Sequence, residues 1–213
     1  MGKRVQRFNK TERYAHWANA FFFGLLFFSG MLLFFGGIAS AVGPNGVAFS
    51  KLVHRIAAIP FILIVPVAML LGTPQTTKLW VKDVLTWSKD DRIWLSRFAQ
   101  EFFGKHIDLP PQGRLNAGEK INTLLGVVGC GLLCISGLIM WQSSYFAPSL
   151  ILVAYAVHDL AAATVGAAII GHSYLGVFQP GYKDALEGMM SGTVSETFAK
   201  GHHAKWYAQE CEK

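Results

Sequence analysis

The sequence predicts an all-α membrane protein: a bundle of four transmembrane helices, with both termini cytoplasmic and amphipathic helices between the second and third. Three observations predict this. Four long apolar runs recur, at about residues 17–38, 54–72, 121–141 and 150–175. Only 15% of the 213 residues are charged and 52% are hydrophobic, whereas soluble domains carry about 25% charged residues. The basic residues also fall unevenly among the segments that join the runs. The whole chain, 1–213, is read as a single membrane domain with no room for a large soluble module.

The first run is rich in Phe and Leu and carries no charge. Ala39-Ser40-Ala41 imitates a signal-peptide cleavage site, but the run exceeds the roughly 7–15 apolar residues of a signal peptide. It is expected to remain as a span. The second run contains Pro60 and Pro66, which a spanning helix tolerates when its neighbours satisfy the freed carbonyls. The third holds Cys130 and Cys134 one turn apart, read as packing residues. Only His158, Asp159 and His172 interrupt the fourth. Each run approaches or exceeds the roughly 20 residues that cross a hydrocarbon core.

Between runs two and three, Trp80, Val84 and Trp87 recur at helical spacing, as do Trp94, Phe98 and Phe102. Charged residues fill the intervening positions. This pattern fits amphipathic helices on the inner membrane surface, or helices docked on a partner. Of the 19 Lys and Arg residues, 17 fall in the N-terminal segment, the 73–120 segment and the C-terminal tail; Lys51 and Arg55 alone lie on the other side. The positive-inside rule puts the first group in the cytoplasm. It also accounts for the net charge of +6 without nucleic acid. The three cysteines suggest no disulfide framework, and there is no C-x-x-C-H haem-attachment motif.

Four of the seven histidines, His16, His54, His158 and His172, sit in or at the ends of the runs. An ionisable group in a membrane span is functional by default. His158 and His172 are fourteen residues apart, nearly the same helical face and about 21 Å along the axis. That places one near each edge of the bilayer core. By depth His54 pairs with His158 on the outer side, and His16 with His172 on the inner side. Two such pairs can supply the axial ligands of two b-type haems. Glycines 24, 30, 126, 129, 131, 137 and 166 leave room for a flat cofactor or for close helix packing. Zinc or copper would ordinarily add Cys or carboxylate ligands at the same depth. His106, His202 and His203 are read as solvated surface residues of cytoplasmic segments. Asp159 lies about 100° around the helix from His158 and is expected not to be a ligand. Arg13 and Arg55, each within a turn of a proposed ligand, could pair with haem propionates or anchor the membrane interface.

These motifs resemble the gamma (cytochrome b) subunit of respiratory membrane-bound formate dehydrogenase. The likeness runs nearly end to end. It includes Arg13-Tyr14-Ala15-His16-Trp17, Lys51-Leu52-Val53-His54, the stretch from Gly113 to Lys120, and Ser136-Gly137-Leu138-Ile139-Met140-Trp141. It continues through Tyr145-Phe146-Ala147-Pro148 and the tail from Phe198 to Tyr207. The resemblance implies an outer haem on His54 and His158 and an inner haem on His16 and His172, the same pairing as depth. It also implies a menaquinone or ubiquinone site beside the inner haem, contacted by Asn116, Gly118 and His172. Asn116 suits a quinone carbonyl as a donor and suits a helix start as an N-cap. Glu119 could relay protons there. The expected partners are an iron–sulfur beta subunit, a catalytic alpha subunit, quinone and membrane lipid, in a bacterial inner membrane. Arg55 stands where the family commonly has proline, and Gln142-Ser143 where it has Arg-Pro. The alternatives are a cytochrome b subunit of a hydrogenase or sulfur-compound reductase, and a haem-free transporter.

Overall fold

The computed structural model describes residues 2–210 except Gly104, His106 and Pro180, together with the side chains of all but Glu101 and Phe102. The expectations for His106 and Phe102, and the position of Cys211, therefore lie outside the described residues. In chain order the elements are β1 (Arg4–Gln6), α1 (Lys10–Phe34), α2 (Gly36–Leu71), α3 (Pro74–Leu85), α4 (Lys89–Phe102) and α5 (Ala117–Trp141). A 3-10 turn (Ser143–Tyr145) leads to α6 (Pro148–Val177), α7 (Lys183–Ser191), β2 (Thr193–Ser195), α8 (Glu196–His202) and α9 (Ala204–Glu210).

Helices α1, α2, α5 and α6 are long and apolar enough to cross a membrane. At 1.5 Å per residue, even the 25 residues of α1 reach beyond a hydrocarbon core of about 30 Å. The expected spans need adjusting at one junction. The first helix ends at Phe34, because Phe35 takes an extended conformation. The residues expected to connect helices one and two outside the membrane, 39–53, instead belong to α2. A break at Gly43, with φ 69°, divides that helix. This left-handed conformation suits glycine, and Pro44 then starts the next helical turn, where its missing N–H costs nothing.

The chain divides into two compact units. One comprises residues 11–74 and 129–166. Here small residues let helices approach closely. A β-carbon on Gly129 would come within 2.2 Å of Val165, and one on Gly166 within 2.5 Å of Phe27. Phe23 stacks on Phe27 and meets Phe61 of α2 at 6.2 Å between ring centroids. Leu, Ile and Phe side chains such as Phe21, Phe28, Ile56, Leu70, Leu152 and Leu160 point outward. Apolar residues exposed on this scale suit a lipid surround.

The other unit comprises residues 1–10, 75–128 and 167–213. A short strand pair accompanies the helices: β1 and β2 pair antiparallel, with Val5 opposite Val194. Both valines are buried against Phe198, Ala199, Trp206 and Tyr207. Three-residue strands carry too little alternation to be read from sequence. A second core joins Phe8, Val84 and Leu115, with Trp80 packed on it, and Trp94 is also buried. The apolar faces of α3 and α4 are thus covered largely by the chain itself. Polar ties reinforce them: Arg114 pairs with Asp83 at 2.6 Å, and Lys120 with Asp91 at 2.8 Å.

His203 corrects the expectation of a solvated surface histidine. It is 1% exposed, and its Nδ1 lies 2.9 Å from the Gly113 carbonyl oxygen. Burial, aided by the Arg7 guanidinium, pushes its pKa down to about 3. The unfolded chain therefore binds this proton more readily than the folded one. The stabilisation is full above the ordinary histidine range and is lost as pH falls from about 6.5 towards 3. Protection of residues 193–210 against hydrogen exchange, relative to the unfolded chain at the same pH, is expected to fall between pH 7 and pH 4. In His203→Gln that fall should shrink; an unchanged pH profile in the variant would assign the effect to other groups.

Candidate haem site on helices α2 and α6

The outer histidine pair is built from residues within one unit. His54 on α2 and His158 on α6 face each other with ring centroids 6.2 Å apart and planes at 62°. Imidazole nitrogen binds a first-row metal ion at about 2 Å, so two rings on opposite sides of one ion place their centroids about 6 Å apart. The two imidazoles fit that requirement.

Each ring packs on a glycine and a serine of a neighbouring helix. A β-carbon on Gly30 of α1 would stand 3.5 Å from the His54 ring, and one on Gly137 of α5 would stand 3.3 Å from the His158 ring. The preceding residues are Ser29 and Ser136. Ser29 Oγ lies 2.9 Å from His54 Nδ1, and Ser136 Oγ lies 3.0 Å from His158 Nδ1. Each hydroxyl donates to the carbonyl one turn earlier, Leu25 or Leu132, at 2.6 Å. With the serine proton given to that carbonyl, the tautomer that fits has each imidazole donating from Nδ1, which keeps the Nε2 lone pair for a metal. Ser50, one turn before His54, donates to the Ser29 carbonyl at 2.9 Å and is itself buried.

The remaining candidates fall as follows. His16 lies in the unit of the outer pair, half-buried and edge-on to Trp17. His172 lies in the other unit, exposed on the unbroken helix that also carries His158. Asp159 is exposed. The Arg55 guanidinium sits 5.8 Å from the Trp141 ring, a cation–π arrangement that suits interface anchoring. Cys130 and Cys134 are free, half-buried thiols of α5. Among the described residues, no group of three or more His, Cys, Asp or Glu could hold a metal ion.

Asn116 caps α5. Its Oδ1 accepts from the Glu119 amide at 2.8 Å, and Glu119 Oε2 accepts from the Asn116 amide at 2.9 Å. This reciprocal capping box engages the carbonyl oxygen of Asn116 and leaves its amide nitrogen as the donor. Both Glu119 oxygens also accept from the buried Arg7 guanidinium, at 2.8 and 2.9 Å. Glu119 is thus tied into the helix cap and an ion pair with Arg7. Gly118 packs beneath Trp94: an added β-carbon would meet the indole at 3.0 Å. Asn116, Trp94, Tyr182 and His202 line a cavity of about 240 Å³. His172 is not among the described residues that line it. His202 stacks on Phe198, and burial lowers its pKa. Its position in the His-His-x-x-Trp-Tyr tail was a signal that sequence reading assigned to surface. Ser29 and Ser136 went unread, although the doublet Ser-Gly stands in both spans, at 29–30 and 136–137.

Among the described residues, four membrane-length helices and a facing pair of half-buried imidazoles are features a membrane cytochrome of the b type requires. The profile of the prokaryotic cytochrome b561 family matches residues 7–192, and the chain belongs to that family. It is 27% identical, over 96% of its length and 92% of the relative's, to the formate dehydrogenase cytochrome b556(fdo) subunit of Escherichia coli K12. The nitrate-inducible cytochrome b556(Fdn) subunit of the same organism is 26% identical over 99% of this chain and 93% of its own. The formate dehydrogenase cytochrome b556 subunit of Haemophilus influenzae is 24% identical over 97% and 84%.

Proposed function

We propose that this chain is the di-haem b membrane subunit of a formate dehydrogenase. In this reading it carries electrons from a periplasmic iron–sulfur subunit across the bacterial inner membrane to menaquinone or ubiquinone. The observation that carries the reading is the His54–His158 pair, at the separation of two axial ligands and with both Nε2 lone pairs available. His54 and His158 would hold the outer haem. His16 and His172, matched by depth along their helices, would hold the inner one. Bound at these pairs, haem b supplies one-electron carriage. The protein's own part is to fix the imidazoles, exclude water from the span and present a quinone-binding edge at the cytoplasmic start of α5.

The names of the relatives support formate dehydrogenase as the parent complex. In this reading its partners are catalytic alpha and iron–sulfur beta subunits, and formate oxidation resides outside this chain. Positive charge on the terminal and 73–120 segments supports cytoplasmic termini and a location of α3 and α4 at the inner surface. Asn116, Gly118 and His172 fall in one unit, and Asn116 borders a cavity able to admit a polar head group. In this reading residues 1–213 act as a single membrane domain.

A second reading, the cytochrome b subunit of a hydrogenase or sulfur-compound reductase, draws on Arg55 and Gln142-Ser143, departures clustered on the face expected to meet the iron–sulfur partner. The soluble subunits that co-purify with the chain separate the two. Pyridine haemochrome assay of the purified chain should give about two haems b, as four axial histidines require. A value near zero would instead support a haem-free transporter.

A further inference from the structure

The two halves of the outer site repeat each other. In each, a Ser-Gly doublet on one helix receives a histidine from the next: Ser29-Gly30 of α1 receives His54 of α2, and Ser136-Gly137 of α5 receives His158 of α6. The glycine lets the imidazole reach the helix backbone, and the serine oxygen then meets Nδ1. Both serines are buried, at 5% and 3% exposure, in apolar spans. Neither hydroxyl needs the histidine for its own proton, which already goes to Leu25 or Leu132.

We propose that Ser29 and Ser136 are paired positioning residues that set the tautomer, ring orientation and electron-donating strength of the two outer axial ligands. This rests on the reading that His54 and His158 ligate one haem. Partners hydrogen-bonded to the second nitrogen of a ligating histidine fix its tautomer and raise its basicity. A more basic imidazole favours the oxidised metal. Two serine acceptors, in place of the carboxylates that often fill this role, give a moderate effect without a buried charge, whose desolvation would be costly in a span. Ser50 extends the arrangement on one side. Its bond to the Ser29 carbonyl ties α2 to α1 one turn from the ligand, so the serine and the histidine it orients are held in register.

The test uses the purified full chain. Ser29→Ala and Ser136→Ala should each retain two haems. Each should shift the midpoint potential of one and the same haem upward, with a change in that haem's low-spin electron paramagnetic resonance signal. The double variant should shift it further, and Ser29→Thr, which keeps the hydroxyl, should return it towards the unaltered value. A purely packing role would move neither signal selectively. Unchanged potentials and spectra in both alanine variants overturn the proposal. Equal loss of a haem in Ser29→Ala and Ser29→Thr also overturns it, because the hydroxyl would then be irrelevant. His54→Ala tests the underlying reading separately: if that variant keeps both haems, the ligand assignment itself falls, whatever the serine variants do.

Discussion

Replacing His158 with alanine is expected to halve the haem content, from about two to about one per chain. The remaining haem should stay reducible by quinol from the inner side. In the proposed function the ring of His158 supplies one of two nitrogens at the outer pair, and His54 stands 6.2 Å away, centroid to centroid. A single imidazole from α2 would leave one axial position empty, and a b-type haem has no covalent tether. The inner candidate His172 lies fourteen residues further along the same helix, about 21 Å distant at helical rise. Truncation at 158 should therefore leave it undisturbed. Electron transfer from the outer donor to quinone should fall to background. Absorption spectra of the reduced, purified variant check this directly. Retention of two haems would show that His158 is not a ligand.

Asn116 has the second large expected effect, and its capping role shapes the experiment. Asn116→Leu removes both the cap acceptor and the amide donor. Loss of an N-cap costs about 1 kcal/mol, so a defect in this variant alone would not distinguish quinone contact from helix stability. Asn116→Ser keeps an oxygen able to accept from the Glu119 amide, as Asn116 Oδ1 does at 2.8 Å, but it cannot reach the cavity as the amide does. Both variants should reduce quinone at least tenfold more slowly, a loss of about 1.4 kcal/mol in transition-state stabilisation. Substrate-driven reduction of both haems should persist. Wild-type quinone reduction by Asn116→Ser, alongside a defect in Asn116→Leu, would assign the residue to capping only.

Much of this protein is determined by the sequence alone. Four apolar runs of membrane length declare four spans, because a helix in lipid must be both long and free of charge over its whole length. The positions of His54 and His158 follow from the same arithmetic. His54 opens the second apolar run and His158 lies in the first half of the fourth, so the sequence pairs them by expected depth before any contact is known. Asn116 as an N-cap is equally local, since a capping box spans only four residues.

What the tertiary structure decided is long-range in the chain. Ser29 meets His54 across 25 residues and Ser136 meets His158 across 22. No periodicity within one helix shows which residue of the next will face it. His203 reads as a surface residue in a polar tail, yet Gly113, ninety residues earlier, accepts it into a buried site. Val5 and Val194 form a strand pair from opposite ends of the chain, each strand too short to declare itself. The helical turns before Gly43 were hidden because Gly-Pro-Asn-Gly signals a turn, and only packing decides whether helix resumes on both sides. Hydropathy and spacing act within a segment, whereas orientation, tautomer and burial of a side chain depend on which other segment arrives beside it.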